Sequence, residues 1–275
     1  MTSAKPVRRA ALIGSSFAAG PDIDPIIEAD AGRSANNYGE IVARNLGATI
    51  TDLAVSGATT ANMLSTVQRF GRRRFPPQVP QLPPDADLVM ITGGGNDLGY
   101  LQSIMPAAMA GRFDGSLPTR PLALATRLIF GTPKGKDTEV AASGLTQVVQ
   151  AVRDRAPGAR IVLVGYPVLF AADSVTDPQE RIRPDDLAAI KQIGQRLDRA
   201  YELAAERTGA ELIRTWEFSR DHAAGSARPW VNGIRGVPGD GAALHPNAAG
   251  HRAMADAVLA LLTADEPPRT AADRK

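Results

Sequence analysis

The sequence predicts an α/β protein built on a parallel sheet with helices against both faces. Two observations carry that prediction. Short apolar runs alternate with longer segments of helical period, the pattern of strand–helix–strand units joined by right-handed crossovers. The run DLVMITGGG at 87–95 is continuously apolar, as a strand must be when both of its faces are covered. At 275 residues, with no internal repeat and no break in composition, the chain reads as one domain over 1–265.

The elements follow in order. RRAALIG at 8–14 reads as the first buried strand. Residues 34–46 read as a helix, with Tyr38, Ile41, Val42 and Leu46 at helical spacing. ATITDLAVSG at 48–57 is a second strand and its turn, and 60–70 a second helix. The third strand is 87–95, the fourth ARIVLVGYP at 159–167, preceded by a helix at 139–155. A long helix spans 185–207, with Leu187, Ile190, Ile193, Leu197 and Leu203 on one side. AELIRTW at 210–216 is the fifth strand, and a helix at 247–262 closes the domain. Residues 99–136 exceed what a simple crossover needs; they read either as a cap over the carboxyl end of the sheet or as a satellite helix pair on the core. Residues 219–244, rich in Gly and Pro and carrying Trp230, read as a long functional loop, with Trp230 either walling a site or packing structurally. The tail 266–275 reads as disordered.

Composition narrows the function classes. The 31 basic and 29 acidic residues leave a net charge of +2, which makes no general case for nucleic acid or an anionic membrane as partner. The cluster RRR at 72–74 reads as a solvated helix end, where cations suit the helix dipole. Cysteine is absent, so disulfides, zinc-thiolate sites and cysteine nucleophiles are excluded. The N-terminal stretch MTSAKPVRRAALIG lacks the apolar core of a signal peptide, which leads us to expect a cytoplasmic protein. No run approaches 18 apolar residues, so stable membrane insertion is not expected. Oligomeric state is not legible.

Parallel sheets of this kind bind ligands at the carboxyl ends of their strands. Three of the loops there carry chemistry: GSSFAAG at 14–20, AVSGATT at 54–60 and GGGND at 93–97. LHPNAAGH, far along the chain at 244–251, supplies an imidazole before the last helix. A serine at a strand-to-helix turn can expose its hydroxyl as a nucleophile. A neutral histidine can take its proton. A glycine N–H and an asparagine amide can donate to a developing oxyanion. Each block alone also fits a plain turn, a strand end or a helix cap; their convergence on one sheet edge is what points to acyl transfer. A dinucleotide site is a poor fit, because Ser16 stands where G-x-G-x-x-G needs glycine, and GTPKGK at 131–136 has the wrong spacing for a P-loop. The three histidines, His222, His245 and His251, lack the spacing of a metal site, so neither a metal nor any other cofactor is expected.

Taken together, GSSFAAG, SGATT, GGGND and HPNAAGH resemble the four signature blocks of the SGNH (GDSL) hydrolases, from Gly14 to His251. The resemblance implies a three-layer α/β/α sandwich like flavodoxin, with a five-stranded parallel sheet, and hydrolysis of esters. It implies Ser16 as nucleophile, Gly57 and Asn96 with the Ser16 N–H as the oxyanion hole, and His245 as general base. This chain departs from the pattern twice. Ser15 stands where the first block usually has a structural aspartate. Ala242 stands where the family usually has the aspartate three residues before the histidine. Three arrangements are then open: Asp240 swings in, a backbone carbonyl near Ala242 holds the imidazole, or neither does and the protein is inactive. Asp97, beside Asn96, reads as a residue that pins its loop by hydrogen bonds. The expected substrate is a small-molecule acyl ester, with a lipid or small aliphatic ester favoured by the Met-bearing insertion. A carbohydrate O-acetyl esterase, an acyltransferase and a non-catalytic ligand-binding protein on the same fold are the alternatives.

Overall fold

The computed structural model describes residues 6–70, 73–114, 117–170 and 182–264. In chain order the strands are β1 (Arg9–Gly14), β2 (Ile26–Glu28), β3 (Arg33–Ser34), β4 (Thr49–Asp52), β5 (Gln68–Phe70), β6 (Arg73–Phe75), β7 (Leu88–Thr92), β8 (Arg160–Val164) and β9 (Glu211–Ile213). The helices are α1 (Ser16–Ala19), α2 (Tyr38–Leu46), α3 (Thr60–Leu64), α4 (Gly95–Leu98), α5 (Tyr100–Asp114), α6 (Arg120–Phe130), α7 (Thr138–Arg155), α8 (Pro184–Thr208), α9 (Thr215–Phe218) and α10 (Ala248–Ala264). Five strands form one sheet in the order β4-β1-β7-β8-β9, and every pairing in it is parallel. The three-layer sandwich expected from the sequence is the fold observed.

Side chains alternate across the pleat, so each central strand feeds two cores. Ala11, Ile13, Val89, Ile91 and Leu163 pack on one face with Met63 of α3, Ile104 of α5, Leu145 of α7 and Leu197 of α8. Ala10, Leu12, Leu88, Met90 and Val162 pack on the other with Ile41 and Val42 of α2 and Met254 and Val258 of α10. All five residues of β7 are buried, which accounts for its unbroken apolar sequence. No helix among the described residues is long and apolar enough to cross a membrane.

Boundaries differ from expectation where polar capping overrides apolar period. The helix read over 34–46 begins at Tyr38, because the Asn37 side chain accepts from the Glu40 N–H and so caps it. The helix read over 60–70 stops at Leu64. A capping box between Thr59 and Asn62 starts it. The β-branched pair Thr66–Val67 then leads into an antiparallel hairpin of β5 and β6. The basic cluster is therefore not a helix end: Arg73 and Arg74 are strand residues, and Arg72 lies outside the described residues, as does the tail 266–275. The strand read over 210–216 gives way to α9 at Thr215. The insertion at 99–136 is chiefly the helix pair α5 and α6, closed at its base by the Lys136 N–H on the Leu98 carbonyl (3.1 Å).

Candidate active site

The strand order β4-β1-β7-β8-β9 puts a topological switch point between β1 and β7. Two loops leave it side by side. Their closeness demands a glycine at the end of β1: a Cβ on Gly14 would stand 2.1 Å from the Thr92 carbonyl oxygen, and its φ is +154°. The Ser15 N–H donates to that same oxygen at 2.9 Å. Below the turn, the buried Gln78 side chain grips both polar groups of Gly14, accepting from its N–H (2.8 Å) and donating to its carbonyl (2.9 Å). The Ser15 hydroxyl sits 2.9 Å from the Tyr166 phenol, whose ring stacks on Phe17 at 4.1 Å. Here a serine–tyrosine pair stands where the resembled pattern usually has an aspartate, tying the end of β1 to the chain just after β8.

Ser16 opens α1, with its hydroxyl in a cleft of about 670 Å³. His245 arrives from the other end of the chain, and its Nε2 lies 2.7 Å from the Ser16 Oγ. The turn that delivers it is strained. The His245 N–H closes onto the Ala242 carbonyl at 3.3 Å, and Leu244 between them has φ +59°, costly for a bulky residue. Leu244 holds that conformation because it is buried and its N–H donates to the Gly233 carbonyl (2.9 Å).

The His245 Nδ1 lies 2.7 Å from the Ala243 carbonyl. A carbonyl only accepts, so Nδ1 carries the proton of the neutral ring. Nε2 is then the acceptor, and the Ser16 hydroxyl donates to it. Of the three arrangements the sequence left open, the geometry matches the backbone carbonyl, one residue on from Ala242. Asp240 is engaged elsewhere: its Oδ1 accepts from the Ala248 N–H (3.1 Å) in the first turn of α10. Asn247 caps the same turn by accepting from the Gly250 N–H (2.9 Å). Asp240→Ala is therefore expected to lower thermal stability by about 1 kcal/mol, as for a lost cap. Turnover should change only a few-fold, and a loss beyond about 100-fold would restore Asp240 as the orienting carboxylate. Burial pushes the His245 pKa below its ordinary value, against the opposing effects of the Ala243 carbonyl and the Asp22 charge.

Gly57 and Asn96 border the same cleft. Gly57 has φ +82°, a left-handed conformation that glycine adopts at no steric cost. Asn96 donates from Nδ2 to the Ala58 carbonyl (2.9 Å), which leaves its second amide hydrogen for a ligand. Among the described residues, the Ser16 and Gly57 N–H groups have no partner within the fold. Asp97 pins the loop as the sequence suggested, accepting from the Thr60 hydroxyl at 2.6 Å and from its N–H at 3.1 Å. Trp230 does not border the cleft; it stacks on His222 at 3.8 Å. His251, from the same block as His245, is a fully buried structural residue. Its Nδ1 accepts from the Tyr38 N–H (3.1 Å), and burial pushes its pKa down to about 3. No group of three or more His, Asp or Glu among the described residues could hold a metal ion.

Sequence reasoning missed Gln78 and Tyr166, and it offered a backbone carbonyl near Ala242 without singling out that of Ala243. Tyr166 follows β8 on the carboxyl edge of the sheet, so its position carried a signal. Gln78 lies between two prolines and a valine, and nothing local marks it.

Residues 12–253 match the sequence profile described as the GDSL-like Lipase/Acylhydrolase family. Lipase 2 of Streptomyces coelicolor is 30% identical over 272 residues, covering 92% of this chain and 85% of that protein. An esterase of Streptomyces scabiei is 28% identical over 232 residues, covering 73% and 67%. Among solved structures, an extracellular lipase from Streptomyces rimosus superposes with a TM-score of 0.69 at 20% identity, over 92% of this chain and 99% of that one. A phospholipase A1 from Streptomyces albidoflavus NA297 gives 0.71 at 19%, with the same coverage. At those identities the two structures speak for the fold alone.

Proposed function

The chain belongs to the GDSL-like lipase/acylhydrolase family and is a carboxylic ester hydrolase, and on that premise we propose that it works through a Ser16–His245 dyad and an acyl-enzyme. The observation that supports this reading is the 2.7 Å contact between the Ser16 Oγ and the His245 Nε2, with the ring's tautomer set by the Ala243 carbonyl.

Ser16 Oγ attacks the acyl carbonyl as His245 Nε2 takes its proton. The imidazolium so formed is steadied by the Ala243 carbonyl dipole in place of a carboxylate. The oxyanion receives hydrogen bonds from the Ser16 and Gly57 N–H groups and the Asn96 amide. His245 then returns the proton to the leaving alkoxide. Water, deprotonated by the same nitrogen, clears the acyl group. Phe70, Leu101 and Met105 give the cleft an apolar side, which favours an aliphatic acyl chain over a carbohydrate acetate.

A fluorophosphonate probe tests the dyad directly. Covalent labelling that maps to the peptide bearing Ser16 is the expected result; no labelling would overturn Ser16 as the nucleophile. Asn96→Ala is expected to lower kcat about 10²- to 10³-fold, the usual loss for one oxyanion donor. An unchanged kcat would remove Asn96 from the hole.

A further inference from the structure

Asn96, the proposed oxyanion donor, is held from the insertion as well as from its own side of the cleft. Gly99, with φ +71°, separates α4 from α5 and lets the chain turn sharply between them. The Gly99 N–H donates to the Asn96 backbone carbonyl at 3.2 Å. The Gly99 carbonyl accepts from the Ser103 N–H at 2.9 Å and from its hydroxyl at 2.6 Å, which fixes the junction. Gln102, in the first turn of α5, then donates from its Nε2 to the Asn96 Oδ1 at 3.3 Å. Gln102 lies on the same side of α5 as Leu101 and Met105, and all three border the catalytic cleft. The Asn96 side-chain amide thus meets the Ala58 carbonyl on its nitrogen and an N–H donor on its oxygen. Turned over, it would set its own oxygen against the Ala58 oxygen, so the network defines which way the amide faces.

We propose that Gln102 is a positioning residue for ester hydrolysis, holding and polarising the Asn96 amide so that its remaining hydrogen meets the oxyanion. The inference rests on the acyl-transfer reading above and adds to it a role for the insertion, since Gln102 reaches Asn96 from α5. A donor on an amide oxygen draws charge toward that oxygen and makes the N–H groups of the same amide better donors. The Gln102–Asn96 contact is exposed in the free protein. An ester seated in the cleft covers it, and the bond gains strength as water leaves. Its benefit grows with the negative charge on the oxyanion, so it belongs to the transition state and is carried by kcat.

The test is a double-mutant cycle between Gln102 and Asn96, read as kcat and KM on a short-chain nitrophenyl ester. Gln102→Leu removes the donor and keeps comparable bulk. Its kcat should fall about three- to tenfold, the usual worth of one hydrogen bond, with KM within about twofold of wild type. Gln102→Glu keeps the shape but only accepts at neutral pH, so it should lose at least as much. In the Asn96→Ala background Gln102→Leu should bring no further loss, because the group it acts through is gone. An equal loss in both backgrounds overturns the positioning role. A raised KM with unchanged kcat also overturns it, making Gln102 a plain substrate contact. Unchanged kcat in Gln102→Leu, beside a loss of about 10²-fold or more in Asn96→Ala, overturns this inference and leaves the oxyanion hole standing. Unchanged kcat in Asn96→Ala itself overturns both.

Discussion

Ser16→Ala is expected to lower kcat/KM for a nitrophenyl acyl ester by about 10⁴- to 10⁶-fold. The hydroxyl oxygen is the bond-forming atom in the proposed mechanism, and among the described residues no other hydroxyl is hydrogen-bonded to His245. Ser15, the adjacent hydroxyl, bonds the Tyr166 phenol at 2.9 Å. The fold should survive, because Ser16 makes no side-chain hydrogen bond among the described residues other than that to His245. Groups that act as one unit are not additive, so Ser16→Ala combined with His245→Ala should be no slower than either alone. Steady-state kinetics on the three variants, with the melting temperature of each, checks this. A Ser16→Ala enzyme within tenfold of wild type would end the serine mechanism.

His245→Ala is expected to cost about as much, roughly 10⁴-fold in kcat. Its pH signature separates a base from a merely structural histidine. A base works in its neutral form, so activity is present above the His245 pKa and is lost as pH falls through it. Burial holds that pKa below the ordinary value of about 6.5. The profile of kcat/KM should therefore stay flat from pH 8 to about 6.5 and turn down only at lower pH. A midpoint above that value would contradict the buried, carbonyl-bonded ring. A profile with no downturn by about pH 4 would remove His245 as the base.

Much of this site could be read before any coordinates, and the reason is local. The run at 88–92 is buried on both faces, so its sequence admits no polar residue before Thr92 and announces a central strand. The loops that follow β1, β4 and β7 carry residues unusual for plain turns, and a parallel sheet forces such loops to one edge. Helix ends were less legible. The segment 60–70 keeps an apolar period past Leu64, yet the chain turns into a hairpin, because pairing Gln68–Phe70 with Arg73–Phe75 engages a second strand that the period cannot report. Reading 72–74 as a helix end followed from that error.

The local pattern of residues was enough to establish the layered α/β fold and to nominate Ser16, Gly57, Asn96 and His245. It could not say what holds the imidazole, because a carbonyl belongs to every residue and leaves no mark in the sequence. Asp240 and a backbone carbonyl near Ala242 both stood open, and folding aims the Asp240 carboxylate at the Ala248 N–H and brings the Ala243 oxygen to the ring. Gln78 meets Gly14 across 64 positions, and Arg69 meets Arg74 across a hairpin; such meetings are consequences of packing and strand register. Backbone polarity and long-range contact are set by the path of the whole chain, so they become visible only once it is folded.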